Sequence, residues 1–265
     1  MTTAIATTGG EGKKGNLVTF GSLSPDSKQM QIIAANTAGE PISELDLTRV
    51  RTPSAGSTTW EIDESGNATS TKEIVGVLTA VGRRGELWPF FDPKKEAPVI
   101  VSPDFKIGYR VGDKLGTIDP KALEKYRTGD RTYDWEAMAT GPDFGPGTGK
   151  DQIGRRCKES RILAVLRDGD IWPVLVSVGP GSLGVFLPFL KKLPCFHYAA
   201  VVGLSLRAEE SKGGQPYSMI VPRLVGELSD EQAEFVKEHY TTPLNAMFAA
   251  PPNMVGGGAQ APVAE

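Results

Sequence analysis

The chain has 265 residues, with 29 Lys and Arg against 32 Asp and Glu, two His, two Cys and a formal net charge of −3 at pH 7. This length fits one large domain or two small ones, and a hydrophobic content of 39% is enough to fill a core, which excludes a disordered chain. Two histidines leave little material for Ser-His-Asp, Cys-His or multi-His chemistry, two cysteines exclude a disulfide scaffold, and no run approaches the roughly 20 apolar residues of a membrane span.

Residues 1–15, MTTAIATTGGEGKKG, lack periodicity and are expected to form a flexible arm. Their basic pair follows the small residues and no apolar stretch accompanies it, so they do not make a signal segment. With the sparse cysteines, this sets a cytoplasmic expectation. Beyond the arm, glycines and prolines punctuate short runs rich in Val, Ile, Leu and Thr, the pattern of many short strands. Lys72–Val81 is read as a strand that turns at Arg83-Arg84-Gly85 into a second, Glu86–Phe91. Residues 103–155 follow as a long insertion of Gly, Pro, Asp, Lys and aromatics, and loops of that length inside domains are usually functional or mobile.

Ser160–Arg167 and Ile171–Val178 form a second hairpin across Asp168-Gly169, with Pro173 placing the later strand at an edge or marking its start. Gly184–Leu193 has helical spacing but carries Pro188, so a short or kinked helix is expected, with Ser182 as its cap. His197–Arg207 and Tyr217–Leu224 make a third hairpin around a polar loop at 209–216. Ser229 caps a C-terminal helix with Asp230 and Glu231 in its first turn, bent at Thr242-Pro243. The tail 249–265, AAPPNMVGGGAQAPVAE, reads as disordered. The expected architecture is mainly β (α+β): one domain over 16–248, whose hairpins form an antiparallel sheet that could close.

No cofactor or metal is expected. Gly179-Pro-Gly181-Ser-Leu-Gly184 matches G-x-G-x-x-G after a strand, but Pro180, Pro188 and the hairpins around it suit a tight turn better than a βαβ unit. Gly145–Lys150 is one residue off the phosphate-loop spacing, and Asp151 stands where a hydroxyl should hold magnesium. Cys157, Cys195, His197 and His239 lack zinc-ligand spacing and read as structural thiols and ordinary histidines.

Charge is sorted along the chain. Residues 1–82 carry 6 basic and 9 acidic side chains, residues 83–161 carry 16 and 13, and residues 162–265 carry 7 and 10. The basic residues of the middle segment cluster at Arg83-Arg84, Lys94-Lys95, Lys106 with Arg110, and Arg155-Arg156 with Lys158 and Arg161. Trp88, Phe90, Phe91, Tyr109 and Trp135 are interleaved with them. Single-stranded nucleic acid asks for this combination, because cations neutralise phosphates and any base can stack on an aromatic face. Solvated charges around core aromatics would give the same composition.

The runs Thr58-Thr-Trp-Glu-Ile62, Lys72-Glu-Ile-Val-Gly-Val77, Arg83-Arg84-Gly-Glu-Leu-Trp88-Pro89 and Pro98-Val-Ile-Val-Ser102-Pro103-Asp104 resemble an uncharacterised family encoded by bacteriophages and other mobile elements. The similarity continues through Gly149-Lys150, Arg156-Cys157-Lys158-Glu159 and GQPYSMIVPRLVGELSDEQ, and spans about residues 30–245. The resemblance implies an OB-type single-stranded DNA-binding protein of phage replication or recombination, with an OB-like, partly open barrel elaborated by the 103–155 insertion and the C-terminal helix. Relatives carry further cysteines where this chain reads Met138-Ala-Thr-Gly-Pro142, so a family metal site around Cys157 is expected to be lost here.

On this reading Arg83, Arg84, Lys94, Lys95, Arg110, Arg155, Arg156 and Lys158 contact phosphates. Trp88, Tyr109 and Trp135 stack on bases, with a core role the rival for Trp88. The expected partners are single-stranded DNA and replication or recombination proteins, with self-association compatible and no membrane. Two alternatives stay open: a phage structural or adaptor protein without nucleic-acid affinity, and a nucleotide-cofactor enzyme built on Gly179–Gly184.

Overall fold

The computed structural model describes residues 43–252 except 45, 65, 91–96, 153 and 212–213, together with Val18, Phe20, Leu23 and Ile32. The arm read at 1–15 and the tail from 253 onward lie outside the described residues. In chain order the strands are β1 (Arg49–Val50), β2 (Trp60–Glu64), β3 (Asn67–Thr71), β4 (Glu73–Leu87), β5 (Ile100–Ser102), β6 (Ile107–Arg110), β7 (Thr132–Asp134), β8 (Cys157–Leu166), β9 (Val174–Val178), β10 (Ala200–Glu210) and β11 (Pro216–Glu227). The helices are α1 (Pro120–Glu124), α2 (Trp135–Thr140), α3 (Pro180–Lys191), α4 (Asp230–Val236) and α5 (Thr242–Ala249), the last two joined by a π-helical turn at Lys237–Thr241. The mainly β class is as expected. The chain divides into two compact units, one of Met1–Gly82 with Ser160–Phe248, the other of Arg83–Glu159 with Ala249–Glu265.

In the first unit the strands run in the order β1-β9-β8-β4-β10-β11, while β2 and β3 form a separate hairpin. β1 is parallel to β9, whereas β8 with β9, β4 with β10 and β10 with β11 are antiparallel, so the sheet is mixed. The hairpin at Asp168-Gly169 forms as read, with Gly169 at φ 85° in the left-handed region its turn requires. β9 starts at Val174, directly after Pro173.

Period-2 alternation assigns each strand's apolar side chains to two separate cores. Val77, Ile162, Ala164, Leu166, Leu175 and Val201 enter one core with Phe235, Tyr240, Leu244 and Phe248 from the C-terminal helices. Ile74, Leu78, Leu163, Val165, Val176 and Val202 enter the other with Phe186 of α3 and with Trp60 and Ile62 of β2. Burial of both faces explains why these strands read as continuous apolar runs. It also accounts for the departure from the expected closure: a sheet covered on both sides has no need to curl around an interior, and no closed barrel is found among the described residues.

The helices hold one further correction. Ser182 is not the cap of α3; Gly179 takes that position, and the Ser182 hydroxyl lies inside the helix, accepting the Ile220 N–H at 2.9 Å. Ser229 does cap α4, and a π turn at Lys237–Thr241 leads from it into α5, whose second residue is Pro243. The Thr241 hydroxyl donates to the Thr79 carbonyl at 2.6 Å, pinning that turn to β4.

The second unit overturns the loop reading of 103–155. The segment contains β6, α1, β7, α2 and a short 3-10 turn at Lys150–Gln152, built around a core of Leu87, Ile100, Tyr133, Trp135, Met138, Phe144 and Cys157. Its helices are only five and six residues long, too short for periodicity to reveal. Aspartates start both of them: Asp119 accepts the Lys121 N–H at 3.0 Å and Asp134 accepts the Ala137 N–H at 2.9 Å.

Arg83-Arg84-Gly85 is likewise no turn. β4 runs unbroken from Glu73 to Leu87, and Gly85 pairs with Ser102 of β5. A Cβ on Gly85 would lie 2.3 Å from Cζ2 of Trp135, so the glycine marks the place where an indole lies on the strand.

Candidate nucleic-acid interface

All eleven residues proposed from the sequence fall within Arg83–Glu159, and the net-positive segment defined by charge alone, 83–161, nearly coincides with this compact unit. Its four antiparallel strands follow the order β4-β5-β6-β7, with β4 contributing its last residues. The registers Gly85↔Ser102, Leu87↔Ile100 and Gly108↔Tyr133 set these residues on the core face. The row Glu86↔Val101↔Tyr109↔Thr132 crosses all four strands on the opposite face.

This outer face carries Tyr109 on the third strand of its row, half-buried beside buried Val101, with Ile107 two residues away on the same strand and 42% exposed. Arg84 shares the face two residues before Glu86, and its Nε donates to Glu86 Oε1 at 2.8 Å. Ile107 was missed from the sequence, although its two-residue spacing from Tyr109 in a strand places the two on one face.

The same alternation divides residues that the sequence groups. Arg83 belongs to the core side, where its guanidinium lies 5.8 Å from the centroid of the Phe105 ring. It rims a recess of about 260 Å³ lined also by Lys106 and by the carboxylates of Asp104, Glu136 and Glu159, so the charges there are mixed. Phe105 sits at φ 63°, an uncommon conformation for a bulky residue. Asp104 secures it by accepting the N–H groups of Lys106 at 2.8 Å and Ile107 at 3.0 Å. Burial opposes charge on Asp104, but those two N–H groups and the Ser102 hydroxyl prevail and hold its carboxyl below the usual range.

Trp135 is a correction. Its side chain is 1% exposed inside the core, where it offers no face to a base, and its indole N–H has no hydrogen-bond partner among the described residues. Its sequence position, at the start of a short helix after a three-residue strand, gave no sign of this.

Arg156 is half-buried and held by the surrounding chain. One terminal nitrogen donates to the Thr117 hydroxyl at 2.9 Å and to the carbonyls of Pro89 at 3.3 Å and Trp88 at 3.4 Å, and burial holds its guanidinium pKa below the ordinary value. It ties the chain after β4 to the segment before α1, a structural role beside the phosphate contact expected of it. Arg155, by contrast, is exposed and pairs with Glu159 at 3.1 Å. Lys158 is half-buried on β8 and Trp88 half-buried just past β4. Arg110 donates to the carbonyls of Gly112 at 3.1 Å and Asp113 at 3.2 Å, fixing the turn after β6. Lys94 and Lys95 lie outside the described residues.

Cys157 is fully buried, and burial pushes its thiol up to about 12. Among the described residues no group of three His, Cys, Asp or Glu side chains is arranged to hold a metal ion, and no helix is long and apolar enough to cross a membrane. No family model, no curated protein and no solved structure matches the chain.

Proposed function

We propose that the chain binds single-stranded DNA without catalysis, through the unit Arg83–Glu159. The observation that carries this reading is the outer face of its four-stranded sheet: Tyr109 on the third strand of a cross-strand row, exposed Ile107 two residues away and Arg84 on the same face, in the chain's net-positive segment. An aromatic on a sheet face lets a base stack whatever its identity, and each such stack contributes about 1–3 kcal/mol. Arg84 on that face and Arg155 and Lys158 elsewhere in the same unit are the cations available to phosphates, while Arg83 lies on the other side of the strand. The pairs Arg84–Glu86, which is partly buried, and Arg155–Glu159, which is exposed and of the kind that contributes only about 0–1 kcal/mol, do not remove them, because a phosphate can displace the carboxylate.

Binding on a sheet face between loops is the mode of OB-type proteins, which the resemblance implies, and a sheet face can serve it without a closed barrel. The resemblance in residues 30–245 supports a setting in phage or mobile-element replication or recombination, with proteins of those processes as partners. The test is fluorescence anisotropy with a labelled oligo-dT of about 30 nucleotides and a duplex of equal length, at low and moderate salt. Preferential single-strand binding that falls steeply with salt supports the proposal. An absence of binding to either at low salt overturns it.

A further inference from the structure

The side chain most exposed among the large apolar ones of the described residues lies in the other unit. Phe196 is 70% exposed, in the segment Lys191-Lys-Leu-Pro-Cys-Phe-His-Tyr198 between α3 and β10. Its ring stacks on Tyr198 with centroids 5.2 Å apart and planes 4° from parallel, and His197 meets Tyr198 edge-on at 5.5 Å and 78°. Tyr198 is half-buried, so the stack is anchored on its inner side and open on its outer one. Most of the Phe196 ring therefore lies in water while its inner side rests on Tyr198, which leaves one aromatic face free to take a further flat ring.

We infer that Phe196 and Tyr198 form a second stacking station for a base of single-stranded nucleic acid, with Lys191 and Lys192 on the adjoining phosphates. This rests on the single-strand binding proposed above and adds a contact outside the Arg83–Glu159 unit. A parallel pair of rings is extended by another flat ring, and every base supplies one. Lys191 and Lys192 end α3, are exposed and are not ion-paired among the described residues. At most about 14 Å of extended chain separates Lys192 from Phe196, so both can serve one short stretch of strand. Lys237, close enough to Tyr198 to feel its charge, is paired with Glu234 at 2.8 Å, and Glu227 lies near Cys195, whose thiol is raised by burial first and by that carboxylate second. An acidic peptide would satisfy the two lysines but leave the open ring face unused.

The test compares the full-length protein with Phe196→Ala, Phe196→Trp and the double variant Lys191→Ala/Lys192→Ala, by anisotropy against the same labelled oligo-dT. An exposed ring can be removed without unfolding the protein, and circular dichroism verifies this. Phe196→Ala should weaken binding roughly five- to a hundredfold and Phe196→Trp should preserve it. The lysine variant should flatten the plot of log K against log salt by about 1.4, two single-strand phosphate contacts at about 0.7 each. If the parent binds oligo-dT and Phe196→Ala binds it equally well, the station is refuted while the proposed function stands. If the parent does not bind at low salt, both fail. A Phe196→Ala variant that changes only the oligomeric state would assign the ring to a protein interface and also overturn the inference.

Discussion

Alanine at Gly85 probes the claim that Trp135 is core. Its Cβ would sit 2.3 Å from Cζ2, 2.5 Å from Cε2 and 3.0 Å from Cη2 of the indole. Carbon atoms rest at about 3.5–4.0 Å, so the ring must retreat by about 1 Å inside a cluster that includes Leu87, Ile100 and Met138. Such overpacking costs about 1–3 kcal/mol, offset by about 0.5–1 kcal/mol because alanine restricts the unfolded strand more than glycine does. Gly85→Ala should therefore lower stability by about 1–2 kcal/mol. Trp135→Phe deletes the atoms that clash, so in that background the alanine should cost nothing or stabilise. The assay is a double-mutant cycle of urea unfolding followed by far-UV circular dichroism, read as midpoint changes at constant m. The expected coupling is about 1–3 kcal/mol, favouring the double variant. Additivity within about 0.5 kcal/mol would show that the indole does not lie on Gly85, and would reopen Trp135 as a stacking residue.

Arg156→Met keeps the apolar stem but removes the bonds to Thr117, Pro89 and Trp88, and should cost about 1–2 kcal/mol in urea unfolding while leaving the salt slope of DNA binding intact; unchanged stability with a slope shallower by about 0.7 would return Arg156 to a phosphate. The Cys157 thiol, raised by burial from 9.0 to about 12, contributes stability that is complete below pH 9 and lost as pH climbs toward 12, because only the unfolded chain ionises in that window. Stability of the parent should drop by about 1 kcal/mol between pH 8.5 and 10 relative to Cys157→Ala, and equal slopes would show the thiol to be accessible. Asp104 titrates in the opposite sense: its carboxyl is held low, so its contribution exists above the ordinary carboxylate range and disappears on acidification. Asp104→Asn should therefore be less stable than the parent at pH 7, with the gap closing below about pH 4 by thermal melts, and a constant gap would contradict the turn geometry.

How legible each feature was in the sequence depended on the distance over which its cause acts. Asp168-Gly169 between two β-branched runs defines a hairpin within a dozen residues, and Ser229 ahead of Asp230 and Glu231 defines a helix start within one turn. Gly85 follows two arginines and resembles a turn, but its reason is an indole fifty residues later, which no local pattern records. The short elements of 103–155 are stabilised by aspartate caps and a shared core in place of periodicity, so their polar composition imitates a loop.

At the candidate site, the net-positive segment of the sequence nearly coincides with a compact unit, but its composition does not tell the unit's faces apart. Adjacent arginines on a strand point to opposite sides, which separates Arg83 from Arg84, and Arg156 beside exposed Arg155 is half-buried and bonded to Thr117. Of the three aromatics proposed for stacking, burial removes Trp135, while register places Tyr109 on the outer face.

The central claim is that bases stack on that outer face, and Tyr109 tests it most directly. Equilibrium anisotropy with oligo-dT, on the parent, Tyr109→Phe and Tyr109→Ala, each verified as folded by circular dichroism, separates the ring from its hydroxyl. The account predicts that Tyr109→Phe binds as the parent does and that Tyr109→Ala loses about 1–3 kcal/mol of binding free energy with an unchanged salt slope. Binding by Tyr109→Ala at the parent's affinity would contradict it.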